Sequence, residues 1–354
     1  MKILHFIYSL NVGGGSGHVI KLLQNLPSDY EQFVIGISGS NNKTFEELIP
    51  NNFFPCNNII ELVINYVKII KKNKIDKVHL HGRGAGIVGR IISSHKSKLI
   101  YTVHGFSLES INFIKKYIYL KIEKKLFKKT EKIIFVSESE MENFYEHTKL
   151  PLQKNVIIHN FLSNDILFSR KKYCASQKVK LLYIGRCSYE KGLDILISAW
   201  GKKFVSLNNC VLDIIGDGPE KNKYQNKVYP NINFLGTIKN ASSLITNYDA
   251  VVMPSRHEGM PYVMIETISK QKILICTPAR GLKDFINNNN GYVSKEITSQ
   301  SFFEILEEFF QDYFFNTKVI EKKILKSQEL FNHSFNKKIQ LEKLQELYRT
   351  CGHI

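Results

Sequence analysis

Short apolar, β-branched runs alternate with longer helical patterns along almost the whole chain. In the first half, 3–9, 32–37, 77–80, 99–103, 132–136 and 155–158 read as strands, and 17–26, 59–73 and 84–95 between them as helices. A second series follows the polar, basic stretch 163–180. Its strands are expected at 179–184, 211–215, 232–234, 250–253 and 273–276, and its helices at 192–200, 219–228 and 261–269. Apolar strands alternating with helices predict parallel sheets covered on both faces. The tail, 301–347, is strongly helical, with a heptad-like run through Leu330, Phe335, Ile339, Leu344 and Leu347.

At 354 residues the chain exceeds one ordinary α/β core and suits two. The expected fold class is therefore α/β, with two doubly wound Rossmann-like domains facing a cleft. They would span residues 1–165 and 166–335, with the linker at 163–174. The hydrophobic fraction of 43% is that of a globular protein, and no apolar run reaches the roughly 18–20 residues of a membrane-spanning helix. The start, Met1 to Tyr8, has one Lys, a His inside its apolar run and no small-residue cleavage site. A buried first strand explains it better than a signal peptide. Six scattered cysteines without metal-ligand spacing read as reduced thiols and a cytoplasmic location.

The net charge of +17 attracts nucleic acid, anionic lipid and phosphorylated substrates alike. Part of it is local: residues 112–132 carry eight lysines against Glu123 and Glu131, interleaved with Phe113, Ile114, Tyr117, Ile118, Leu120, Ile122, Leu126 and Phe127. Such a helix fits an anchor on an anionic membrane surface. It fits equally a surface helix that packs its apolar stripe on its own sheet.

Four groups could carry chemistry. Gly13-Gly14-Gly15-Ser16-Gly17 follows the first strand and opens a helix, where backbone N–H groups suit an anion. His18 stands where a dinucleotide fingerprint needs its third glycine, and no acidic residue ends the second strand, which disfavours a nicotinamide cofactor. Gly185-Arg186-Cys187-Ser188-Tyr189-Glu190-Lys191-Gly192 places two cations five residues apart after a strand, a suitable grip on phosphate. Gly216-Asp217-Gly218-Pro219-Glu220 reads as a structural turn with Pro219 at the first helical position. Glu258-Gly259-Met260-Pro261, with Glu266 eight residues after the first carboxylate, spaces two acids along a loop and a helix, one for a sugar and one for a ribose diol. His104, after the strand 99–103, could face the same cleft, although a lone His there is more often structural.

Taken in order, these residues resemble the retaining family-4 glycosyltransferases of GT-B fold, especially those of bacterial polysaccharide synthesis. The resemblance adds His79-Leu80-His81-Gly82-Arg83-Gly84-Ala85-Gly86, Thr102-Val103-His104-Gly105, Phe135-Val136-Ser137, Phe234-Leu235-Gly236 and the run from Pro254 to Glu266. It implies that Arg186 and Lys191 hold the donor diphosphate, Glu266 the ribose, and Glu258 with Gly259, Met260 and Pro261 the donor sugar. His104 would contact the sugar, and Gly14 and Gly15 would lie near the phosphates. It further implies no metal and no cofactor, since two cations replace a divalent ion. The donor would be a nucleoside-diphosphate sugar, by family preference UDP, and the acceptor a saccharide. The charge and the basic helix suggest a lipid-linked acceptor at the inner face of the cell membrane. The family's last helix crosses back to the first domain, here about 336–354. Thr267 in place of an alanine, and Lys270-Gln271-Lys272 in place of a glycine-proline turn, depart from the pattern.

Two other readings compete. A sugar-nucleotide epimerase of the same fold would convert the donor without an acceptor. A non-enzymatic basic module for membrane or nucleic acid would bind no nucleotide sugar and depend steeply on salt. The intact cation and glutamate pairs argue against the module, and the lack of any nucleic-acid motif argues against nucleic acid as a partner.

Overall fold

Two units emerge from the chain's own contacts: Met1–Ser163 with Lys337–Ile354, and Asn164–Asn336. The computed structural model describes residues 1–11, 13–93, 98–106, 108, 112–163, 178–225 and 229–351. All but the first residue of the expected linker 163–174, together with Cys174, His95 and Val228, lies outside them.

The first unit is built on seven strands: β1 (Lys2–Ser9), β2 (Glu31–Ile37), β3 (Phe53–Cys56), β4 (Lys77–His81), β5 (Leu99–Val103), β6 (Lys132–Phe135) and β7 (Asn155–Ile157). They pair in parallel in the order β3-β2-β1-β4-β5-β6-β7. Its helices are α1 (Gly14–Asn25), α2 (Asn42–Leu48), α3 (Ile59–Asn73), α4 (Gly82–Ile92), α5 (Phe113–Phe127) and α6 (Glu138–Thr148). Side-chain caps start three of these, from Asn58, Asn112 and Ser137, each accepting from backbone N–H groups of the first turn.

The second unit has β8 (Val179–Ile184), β9 (Cys210–Ile215), β10 (Ile232–Gly236), β11 (Ala250–Met253), β12 (Ile273–Cys276) and β13 (Tyr292–Val293), again parallel, in the order β10-β9-β8-β11-β12-β13. Its helices are α7 (Leu193–Gly201), α8 (Lys221–Gln225), α9 (Tyr262–Ser269), α10 (Ser299–Phe315) and α11 (Thr317–Ser334). The last helix, α12 (Lys337–Thr350), lies in the first unit, where Leu341, Leu344, Leu347 and Tyr348 bury against Ile3, Leu22, Ile100 and Ile134. Both sheets reverse their winding beside their first strand, at β1/β4 and at β8/β11. Doubly wound sheets bind ligands at the carboxyl ends of such strand pairs.

Several expectations need correction. β3 and β13 gave no periodic signal because each is a short edge strand, and β3 contains Pro55, which only an edge tolerates. α1 begins at Gly14 instead of residue 17, so the glycines form its first turn: tertiary position overrides poor propensity. α8 starts at Lys221, which leaves Pro219 in the preceding turn. The heptad-like run is broken: α11 ends at Ser334, and Ile339 is exposed. Thr267 fits its buried place by donating to the carbonyl of Val263 at 2.6 Å. Gln271 takes the left-handed conformation (φ 58°) where a glycine is usual.

The basic helix α5 divides between its two readings. Tyr119, Leu126 and Phe127 are buried, whereas Phe113, Ile114, Tyr117 and Ile118 remain at least half exposed. A fully buried bidentate pair, Arg90 Nη1 and Nη2 to Glu123 Oε1 and Oε2 at 2.6 and 2.9 Å, ties α5 to α4. Among the described residues no helix is long and apolar enough to cross a membrane.

Candidate active site

In the second unit, the loops leaving β8 and β11 hold most of the expected residues. The chain leaves β8 through Gly185 and Arg186, forms a single 3₁₀ turn over Tyr189–Lys191 and enters α7 at Gly192. Gly192 has φ 68°, and a Cβ there would stand 1.9 Å from the carbonyl oxygen of Pro254. The residue must be glycine for the two loops to touch. Gly216 (φ 144°) likewise presses on the carbonyl of Gly185, so the 216–220 turn acts as a structural support for the cationic loop.

The two loops are also clamped by Arg256, which sequence reasoning missed. Its backbone N–H donates to Glu190 O at 2.8 Å. Its guanidinium donates to Tyr189 O and, in a fork, to both carboxylate oxygens of Asp194, at 2.6–2.7 Å. It also lies 3.7 Å over the Tyr189 ring. Burial pushes the Asp194 carboxyl up, but the hydrogen bond and charge of Arg256 outweigh it and hold it below its ordinary value.

Within this frame Lys191 and Glu258 meet directly. Lys191 Nζ donates to Glu258 Oε2 at 2.6 Å, and Ser255 Oγ donates to Glu258 Oε1 at 2.7 Å. Glu258 is buried and Lys191 about two-thirds so. Gly259 and Met260 continue as a buried loop, and Pro261 caps α9. Glu266 lies half-buried in α9. It adds to the burial that pushes the Tyr262 hydroxyl well above its ordinary pKa. Arg186, two residues after β8, is exposed.

Gly14, Gly15 and His104 form a separate group in the first unit. A cavity of about 260 Å³ opens at the carboxyl ends of β1 and β4, lined among others by Ser9, Gly13, Gly15, His81 and Arg83. Gly14 is exposed, and a Cβ at Gly15 would lie 3.7 Å from the His104 ring. His104 is one of five clustered histidines, with His5, His18, His79 and His81. Burial lowers all five, His5 and His104 to about 4 and the others well below the ordinary imidazole value. All are neutral at pH 7. The available signal was the alternation His79-Leu80-His81, which sends both rings to one face of an apolar strand.

Two family profiles match the chain: Glycosyltransferase Family 4 over residues 12–165 and Glycosyl transferases group 1 over 178–312. A 41.2 kDa protein of the cps region of Klebsiella pneumoniae is 30% identical over 230 residues, which are 58% of this chain and 61% of that relative. The Escherichia coli UDP-Gal:alpha-D-GlcNAc-diphosphoundecaprenol alpha-1,3-galactosyltransferase is 26% identical over 383 aligned positions, covering 98% of this chain and 96% of the relative. Among solved structures, Anabaena HepE in complex with UDP and glucose shares the fold. Its TM-score is 0.81 at 17% identity, over 99% of this chain and 100% of that one.

Proposed function

The chain belongs to the family-4 and group-1 glycosyltransferases of GT-B fold, and on that premise we propose that it moves a hexosyl group from a UDP-sugar to a saccharide hydroxyl with retention of configuration. The observation that carries this reading is the Lys191–Glu258 contact at the carboxyl ends of β8 and β11. It puts a cation and a carboxylate side by side where a doubly wound sheet takes its ligand. The UDP complex of HepE and the UDP-Gal donor in the name of the E. coli relative support the choice of nucleotide.

The division of labour follows from the donors available. Lys191 spends one of its three N–H bonds on Glu258 and keeps two for diphosphate oxygens. Arg186 adds a fork to the same diphosphate. Glu258, with one oxygen on Lys191 and the other on Ser255, can accept from donor-sugar hydroxyls. Glu266 takes the ribose hydroxyls. The C1–O bond to the diphosphate breaks as the acceptor oxygen bonds C1 from the same face. The acceptor's proton passes to the departing phosphate oxygen, so neither glutamate is a glycosidase-type nucleophile. The two cations stabilise the charge of the leaving group without a metal.

We further propose a lipid-linked acceptor reached at a membrane surface. The exposed half of α5, Phe113, Ile114, Tyr117 and Ile118, adjoins exposed Lys124, Lys125 and Lys128. The diphosphoundecaprenol in the E. coli relative's name supports the acceptor class. Lys129 is engaged with the carbonyls of Ile91 and Ser93 and is left out of this surface.

The test is the thermal midpoint of the full chain with UDP, GDP, ADP, CMP and NAD in turn. A ligand at about 100 times its Kd adds about 2.7 kcal/mol, a shift of several degrees. UDP should shift it, and Arg186→Ala or Glu266→Ala should remove the shift. A shift with NAD alone, or with none, would sink the transferase assignment of these residues. Conversion of UDP-sugar without acceptor would favour an epimerase. Co-sedimentation with anionic vesicles should be lost in Phe113→Ser/Ile114→Ser while the UDP shift remains.

A further inference from the structure

The loop after β11 is held in place by the loop that follows the neighbouring strand β12. Thr277, the first residue after β12, donates its backbone N–H to Met253 O at 3.2 Å and its hydroxyl to the carbonyl of Ser255. Thr277 and Ser255 are both buried. Gly281 brings the same loop against the next residues. Its φ is 75°, and a Cβ there would stand 2.1 Å from Gly259 O and 2.6 Å from Glu258 O. Only glycine allows so close an approach. Ser255 is thereby fixed through its carbonyl, and its hydroxyl donates to Glu258 Oε1 at 2.7 Å.

That hydroxyl decides how the two oxygens of Glu258 are satisfied. Among the described residues the carboxylate receives two side-chain hydrogen bonds, Ser255 on Oε1 and Lys191 on Oε2 at 2.6 Å. A carboxylate only accepts, so the serine proton points at it. Glu258 is 5% exposed, and a buried carboxylate oxygen left without a donor is costly. Lys191 lies beside it and carries three N–H groups on a flexible stem. Without the serine hydroxyl, Oε1 would turn to the ammonium and take a second N–H. With the hydroxyl in place one N–H suffices, and two stay available.

We propose that Ser255, held by Thr277, is a positioning residue: it satisfies Glu258 Oε1 and so keeps two N–H groups of Lys191 for the donor diphosphate. It acts through Glu258. The inference rests on the transferase reading of Lys191 and explains how a carboxylate can sit beside a cation that grips phosphate.

UDP lacks the sugar assigned to Glu258, so its Kd, measured by calorimetry on the full chain, reports Lys191 without that contact. Ser255→Ala should raise the Kd about tenfold, the worth of one hydrogen bond to a charged group. In a Glu258→Ala background the same substitution should leave the Kd unchanged, because no carboxylate remains to draw on the ammonium. Equal losses in both backgrounds would mark a merely structural serine and overturn the proposal. Loss of UDP binding in Glu258→Ala itself would also overturn it. Thr277→Val, which removes the hydroxyl on the Ser255 carbonyl, repeats the comparison should Ser255→Ala alter the circular dichroism spectrum. A several-fold rise that vanishes without Glu258 is then expected. An unchanged Kd in both variants, with the parent binding UDP, sinks this proposal alone. A parent that binds no UDP sinks the transferase reading beneath it.

Discussion

Acidification should unfold the first unit's core well before the carboxylates titrate. An imidazole whose folded pKa is depressed favours the folded state above its unfolded value, about 6.5. That contribution is lost as pH falls toward the folded value. His5 and His104 are held at about 4 by burial. Between pH 7 and pH 5 each therefore forfeits about 2 kcal/mol, or about 4 kcal/mol together. His18, His79 and His81 shift in the same direction. Against a typical total of about 5–15 kcal/mol, that is a large share. Urea unfolding of the full chain at pH 7, 6 and 5, with chelator present, measures the loss directly. His104→Gln removes one titrating ring, so its pH 7-to-5 loss should be about 2 kcal/mol smaller than that of the parent. The single tryptophan, Trp200, is buried in the second unit, so its fluorescence reports that core separately from circular dichroism. Stability that stays flat from pH 7 to pH 5, or an identical loss in His104→Gln, would refute the reasoning.

Other perturbations test the frame around the sites. Glu123→Gln strands the buried Arg90 guanidinium and should cost about 3–5 kcal/mol, read as a fall in Tm. The double replacement Arg90→Met/Glu123→Leu should recover most of it. Arg256→Lys keeps the charge but loses the fork on Asp194 and the stack on Tyr189. Calorimetry should show UDP binding weakened several-fold, with a small change in Tm. Gly192→Ala meets the Pro254 carbonyl at 1.9 Å with φ 68° and should cost more than 1 kcal/mol in chemical denaturation.

Much of this protein was legible in its sequence. The strands β5, β8, β11 and β12 and the helix α3 lie at the bounds that apolar runs and helical patterns predict, because a strand buried on both faces has no choice but to be apolar. The cationic loop and the carboxylates were legible too, since they follow strands that hydrophobic pattern locates. The glycine turn was read correctly in place but not in conformation. Local propensity argues against a helix at Gly14, and only contacts with β1 and its neighbours select one.

Tertiary structure alone decided the rest. Arg256 and Asp194 are 62 residues apart, and nothing local marks them as partners. His5, His18, His79, His81 and His104 come from three separate elements and from the loop after β5. Each alone reads as an ordinary core histidine. Parallel strands joined by helices bring distant segments into register, His5 beside His79 for example. A chemical group assembled that way is a property of the sheet order, which no window of sequence contains. The same holds for α5: periodicity counts its apolar residues, but only the anchor between Arg90 and Glu123 decides which half of them faces water.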